Sequence, residues 1–139
     1  MTDSDQSREP WALWKIGLVA AIVSAIGNIA LMLVTISSLG AAETFIPLTL
    51  PPIIIWSFIG AFGAIGVYSL IRKSSATPDR TFTIVAVVVL VLSFIPDIVL
   101  VNVSEGPFGG ATTGAIVVLM VMHVISFFVV VPMLRKLAA

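Results

Sequence analysis

Thr81-Phe82-Thr83-Ile84-Val85-Ala86-Val87-Val88-Val89-Leu90-Val91-Leu92-Ser93-Phe94-Ile95-Pro96-Asp97-Ile98-Val99-Leu100-Val101-Asn102 is apolar over almost its whole length and holds a single ionisable side chain. At 1.5 Å rise per residue, roughly 20 such residues cross the hydrocarbon core of a bilayer. Working outward, three further stretches meet the same requirement: about Lys15 to Thr35, about Pro52 to Ile71 and about Thr113 to Leu134. The segments between them carry turn chemistry: Ser37-Ser38-Leu39-Gly40, Ser74 to Asp79, and Ser104-Glu105-Gly106-Pro107. Transmembrane strands would be shorter and alternating, so the pattern predicts an all-α, antiparallel four-helix transmembrane bundle, one domain over residues 1–139.

Composition agrees. The chain is 59% hydrophobic and 10% charged, with a mean hydropathy of +1.18. A soluble domain carries roughly 25% charged residues, so most of this surface faces lipid. Net charge is zero, which leaves no basic field for nucleic acid. Cysteine is absent, which removes disulfides, thiolate metal sites and thiol relays.

The seven basic residues set the expected orientation. Arg8 and Lys15 precede or open the first span, Arg72, Lys73 and Arg80 surround the second connection, and Arg135 and Lys136 close the fourth span. The first and third connections hold only Glu43 and Glu105 as charges. The positive-inside rule therefore puts both termini, including a polar tail over residues 1–10, in the cytoplasm. The first span exceeds the roughly 7–15 apolar residues of a signal h-region, which favours a retained helix over a cleaved leader. Trp11, Trp14 and Tyr68 read as interface anchors, while Trp56 lies deeper. The run from Glu43 to Pro52 mixes Phe45, Ile46, Leu48 and Leu50 with Pro47, Pro51 and Pro52. It reads as a loop in the headgroup layer, with a lid over an outward cavity as the alternative.

Helix association in lipid depends on close packing and polar contacts. Ala20, Ser24 and Gly27 in the first span, and Gly60, Ala61 and Ala64 in the second, fall at helical spacing and are the expected packing faces. The candidate intramembrane site is a polar layer. Counting from the basic residues, Asn28 and Ser93 lie about 20 Å in, His123 about 18 Å, Ser57 about 22 Å and Asp97 about 25 Å. Ser126 belongs to the same polar set, and on a structural reading both Ser93 and Ser126 bond back to their own helix. A charge at mid-bilayer costs about 2.5–3.5 kcal/mol and normally finds a partner, so Asp97 is expected to meet His123, Asn28 or a serine. The competing structural reading restarts the third helix after Pro96, placing Asp97 in a first turn, where a carboxylate suits the helix dipole.

One His and one intramembrane Asp fall short of a zinc ligand set, and neither a phosphate-binding glycine loop nor a nucleophile elbow occurs. No cofactor is expected. Val88 to Asp97, Leu119-Met120-Val121-Met122-His123 and Val131-Pro132-Met133-Leu134 resemble a family of uncharacterised bacterial four-helix membrane proteins, a domain of unknown function. The resemblance spans about residues 12–136 and implies the fold and a bacterial plasma-membrane location, with no activity attached. The expected function is a non-catalytic accessory subunit or assembly protein, bound to a membrane-protein partner or to further copies of itself. The alternative is a proton-linked small transporter or binder of a lipid or apolar ligand. An enzyme ranks last.

Overall fold

A computed structural model describes residues 11–35, 45–106 and 108–138. Ser37–Gly40, Glu43, Pro107 and the tail carrying Arg8 lie outside the described residues. The helices are α1 (Leu13–Thr35), α2 (Leu50–Ser74), α3 (Pro78–Val99) and α4 (Thr113–Leu137), with 3-10 turns at Ile46–Leu48 and Leu100–Asn102. All four are long and apolar enough to cross a membrane.

Local chemistry explains the ends. Pro51 and Pro52 open α2 and Pro78 opens α3, where a missing N–H costs nothing. Arg72 and Lys73 end α2, and Arg135 and Lys136 end α4, opposite the negative pole of each helix. Thr112 caps α4 by accepting the Ala115 N–H at 3.1 Å. Between α3 and α4 the chain turns through Gly106 at φ +83°, and a Cβ on Gly109 would come within 2.9 Å of the Glu105 backbone. Both positions require glycine.

The helices run up-down-up-down. α1 packs between α2 and α4, and α3 packs on α4 and α2. The Trp11 N–H donates to the Leu137 carbonyl at 2.8 Å, joining the start of α1 to the end of α4. We call this the basic end, because the lysines and arginines gather there. Two apolar clusters fill the interior. At the basic end Ile16, Ala20, Ala61, Tyr68, Phe82 and Leu134 pack together. At the opposite end Met32, Phe45, Leu48, Ile53, Ile116 and Leu119 do so. Between the two lie the buried polar residues Ser24, Asn28, Ser57 and Asp97. Helix α3 is the least enclosed, with only Phe82 and Asp97 buried. Ile84, Val88, Val91 and Ile95 form an exposed stripe along it, a surface that suits lipid or an apolar partner.

Three expectations change. Tyr68 is no interface anchor: it is 1% exposed, stacks edge-on against Phe82 and donates its hydroxyl to Asp79 at 2.8 Å. The loop before α2 does not merely lie on the surface, since Phe45 and Leu48 are buried in the cluster opposite the basic end. Gly60 makes no packing contact inside the bundle: it is exposed, and a Cβ there meets nothing within 4 Å, as at Gly63 and Gly66. Ser57, Ala61 and Ala64 turn inward instead. Of the helical glycines the tightest is Gly17, where a Cβ would collide with the Ile65 side chain and stand 3.2 Å from Phe62. Gly27 packs on α4, with 3.1 Å available to Ile125.

These glycines predict opposite outcomes. Gly17→Leu is expected to cost about 1–3 kcal/mol through overpacking of α1 on α2. Gly60→Leu is expected to be neutral or stabilising by up to about 1 kcal/mol, because it improves helix propensity and fills no occupied space. Unfolding in mixed detergent micelles, followed by circular dichroism, measures both.

Candidate intramembrane polar site

The level of each polar side chain follows from helix rise, and its direction from packing. Asn28 sits on the enclosed face of α1, 5% exposed, one turn beyond Ser24 at 0%. Its amide donates to Ser57 Oγ on α2 at 3.2 Å and to Ser126 Oγ on α4 at 3.3 Å. Ser57 in turn donates to the Ile53 carbonyl of its own helix at 2.7 Å. One asparagine thus joins three helices. Ser126, one of the polar residues weighed for the layer, takes part in this junction. It lies three residues beyond His123, on the same side of α4.

His123 carries the layer on to α3. Its Nδ1 lies 2.9 Å from the Leu119 carbonyl and 3.0 Å from Asp97 Oδ2. Both neighbours are acceptors when Asp97 is ionised, so Nδ1 bears the hydrogen and Nε2 is the nitrogen left to take a proton. The geometry aligns the N–H with the carbonyl, so Asp97 Oδ2 receives charge proximity without an aligned hydrogen bond. The ring lies edge-on to Phe94, with centroids 6.4 Å apart. The His123 side chain is 41% exposed and that of Asp97 9%. One partner therefore opens outward while the other is enclosed.

The α3 helix runs unbroken past Pro96 to Val99. Asp97 therefore occupies a last turn, not the first turn of a restarted helix, and the dipole there disfavours a carboxylate. Contact with His123 offsets that penalty. Ser93, placed at the same depth by rise alone, donates to the Leu90 carbonyl of its own helix at 2.6 Å and does not join the layer. Among the described residues, three buried polar atoms have no hydrogen-bond partner: Ser24 Oγ, Asn28 Oδ1 and Asp97 Oδ2. Ser24, expected only as a packing residue, thus adds unmet polarity beside Asn28. Among the described residues no cluster of three or more His, Asp or Glu stands ready for a metal.

The connected path runs Ser57, Asn28, Ser126, one turn of α4, His123, Asp97, and touches all four helices. Chemically it offers one basic nitrogen, one carboxylate and several acceptors, which suffices to bind a proton or a small hydrogen-bond donor. A model described as a family of unknown function, DUF6069, matches residues 8–139. No curated protein and no solved structure matches the chain.

Proposed function

We propose that this chain, which belongs to the DUF6069 family of unknown function, is a multi-pass membrane protein that holds an exchangeable proton at Asp97 and His123 and couples it to the seating of α3. The observation that carries this reading is the enclosed Asp97 carboxylate 3.0 Å from His123 Nδ1, on a helix with one other buried residue. A proton arriving at His123 Nε2 converts a neutral ring beside a carboxylate into an ion pair, so the charge state of the pair acts on the contact that seats α3 on α4. In this reading the chain is not an enzyme. It lies in a bacterial plasma membrane with its basic end towards the cytoplasm, and the pair is reached from the outer side.

His123 is the only histidine, so imidazole nitrogen resonances of the labelled protein in bicelles report it alone. The expected result is a single titration whose midpoint is displaced by about one pH unit or more in Asp97→Asn. An unchanged midpoint, or a ring that does not titrate between about pH 4 and 9, overturns the reading.

A second reading has its own support. Gly60, Gly63 and Gly66 leave the backbone of α2 open on its exposed side, and small residues let another membrane helix approach closely. On this reading the chain is an accessory subunit or a homo-oligomer. Native mass spectrometry after gentle extraction then finds a stoichiometric partner, which Gly60→Leu releases without loss of stability.

A further inference from the structure

At the basic end an open groove of about 450 Å³ runs between the start of α3 and the end of α4, lined by Asp79, Val131, Pro132, Arg135 and Lys136. Its floor is apolar: Val131 is buried and Pro132 half-buried. Its rim carries both signs of charge. Arg135 and Lys136 are exposed on α4, and Asp79 faces them from α3. No nitrogen of either cation lies within 4.0 Å of the Asp79 carboxylate, so the opposite charges share the groove without neutralising each other.

Asp79 is also held in place. The buried Tyr68 hydroxyl donates to its Oδ1 at 2.8 Å, and Tyr68 is itself fixed against Phe82. The second carboxylate oxygen remains for another donor. The groove thus presents an anion site, a separate acceptor and an apolar floor at the level where the spans end.

We propose that this groove binds the headgroup of a phosphoethanolamine lipid. Arg135 and Lys136 take the phosphate, a charge-assisted contact for which guanidinium geometry is suited. Asp79 accepts from the primary ammonium, one short O–C–C–N chain away. Val131 and Pro132 meet the glycerol region. A choline headgroup fits less well, because its methylated nitrogen has no N–H to donate. A glycerol headgroup keeps the phosphate and loses the cation that Asp79 would meet. Basic sites at helix ends hold lipid phosphates generally, and here the fixed carboxylate adds the selectivity.

The test is native mass spectrometry of the full chain in detergent, titrated separately with phosphatidylethanolamine, phosphatidylcholine and phosphatidylglycerol of identical acyl chains. Phosphatidylethanolamine is expected to bind about five- to tenfold more tightly than the other two. Asp79→Asn should remove that preference while leaving phosphatidylglycerol binding equal or stronger. The pair Arg135→Gln with Lys136→Gln should weaken all three lipids, whereas Lys15→Gln should weaken none. Circular dichroism confirms that each variant is folded. If Asp79→Asn proves unfolded, the comparison among the three lipids on the unaltered chain decides alone. Equal binding of all three, or preference for phosphatidylglycerol, overturns the proposal. Displacement of the lipid by soluble phosphoethanolamine or inorganic phosphate at matched concentration overturns the lipid assignment and makes the groove a site for a free phosphate compound.

Discussion

Phe45→Ala is expected to lower stability by about 3–5 kcal/mol, the range for removing a buried aromatic side chain. Phe45 is 1% exposed, and with Leu48 it closes the apolar cluster formed by Met32 and the first turns of α4. That cluster includes Leu119, whose carbonyl holds the His123 ring, and Met122, its neighbour in sequence. Deleting the ring therefore opens a void on the side of the polar layer away from the basic end. The segment has little else to hold it, since its 3-10 turn makes only short-range bonds such as Leu48 N–H to the Phe45 carbonyl. The control is Ile46→Ala, a neighbour 42% exposed, expected to change stability by less than about 0.5 kcal/mol. Unfolding titrations measure both, and hydrogen exchange through residues 119–126 should rise for Phe45→Ala alone. Equal effects at the two positions would show that the turn does not seal the bundle.

The second large effect belongs to His123. Its replacement by Ala leaves the enclosed Asp97 carboxylate without its nearest counterpart, in a last helical turn that already disfavours negative charge. An unpaired charge within the bilayer costs about 2.5–3.5 kcal/mol, and His123→Ala is expected to cost about 2–3 kcal/mol on that basis. Asp97→Ala is expected to cost less, about 1 kcal/mol, because a half-exposed neutral imidazole keeps its bond to the Leu119 carbonyl. The double variant should then fall short of the sum of the singles by about 1–2 kcal/mol, the scale of the stronger polar couplings measured between membrane helices. Strict additivity would mean that the two groups are neighbours without energetic consequence, and the proton-coupled reading would lose its basis.

How much of this was legible beforehand varies by residue. Asn28, Ser57 and His123 could be placed at a similar level, and Asp97 one turn further out, because depth depends only on counting residues from charges that must stay near water. Ser93 satisfied the same count and still bonds within its own helix, because depth carries no information about rotation. Tyr68 was misread for a related reason. A tyrosine near a helix end suits the interface, and only the positions of Phe82 and Asp79 show that this one faces inward. Gly17 and Gly60 are alike in sequence, yet one lies against the side chains of Phe62 and Ile65 and the other faces open space.

The sequence by itself determined the number of long apolar helices, their approximate extents and the order of the polar groups along each, all of which follow from summed hydropathy and a fixed rise per residue. Only the tertiary structure decided which faces turn inward, which polar groups meet, how Phe45 seals one end and how Asp79 faces Arg135 across a groove at the other. The physical reason lies in the solvent. A helix in water must point its polar side outward, which writes its rotation into the sequence, whereas these four helices are apolar around nearly their whole circumference. Lipid accepts any face, so rotation is set by the fit of small residues and a few hydrogen bonds, and that fit exists only when all four helices are present together.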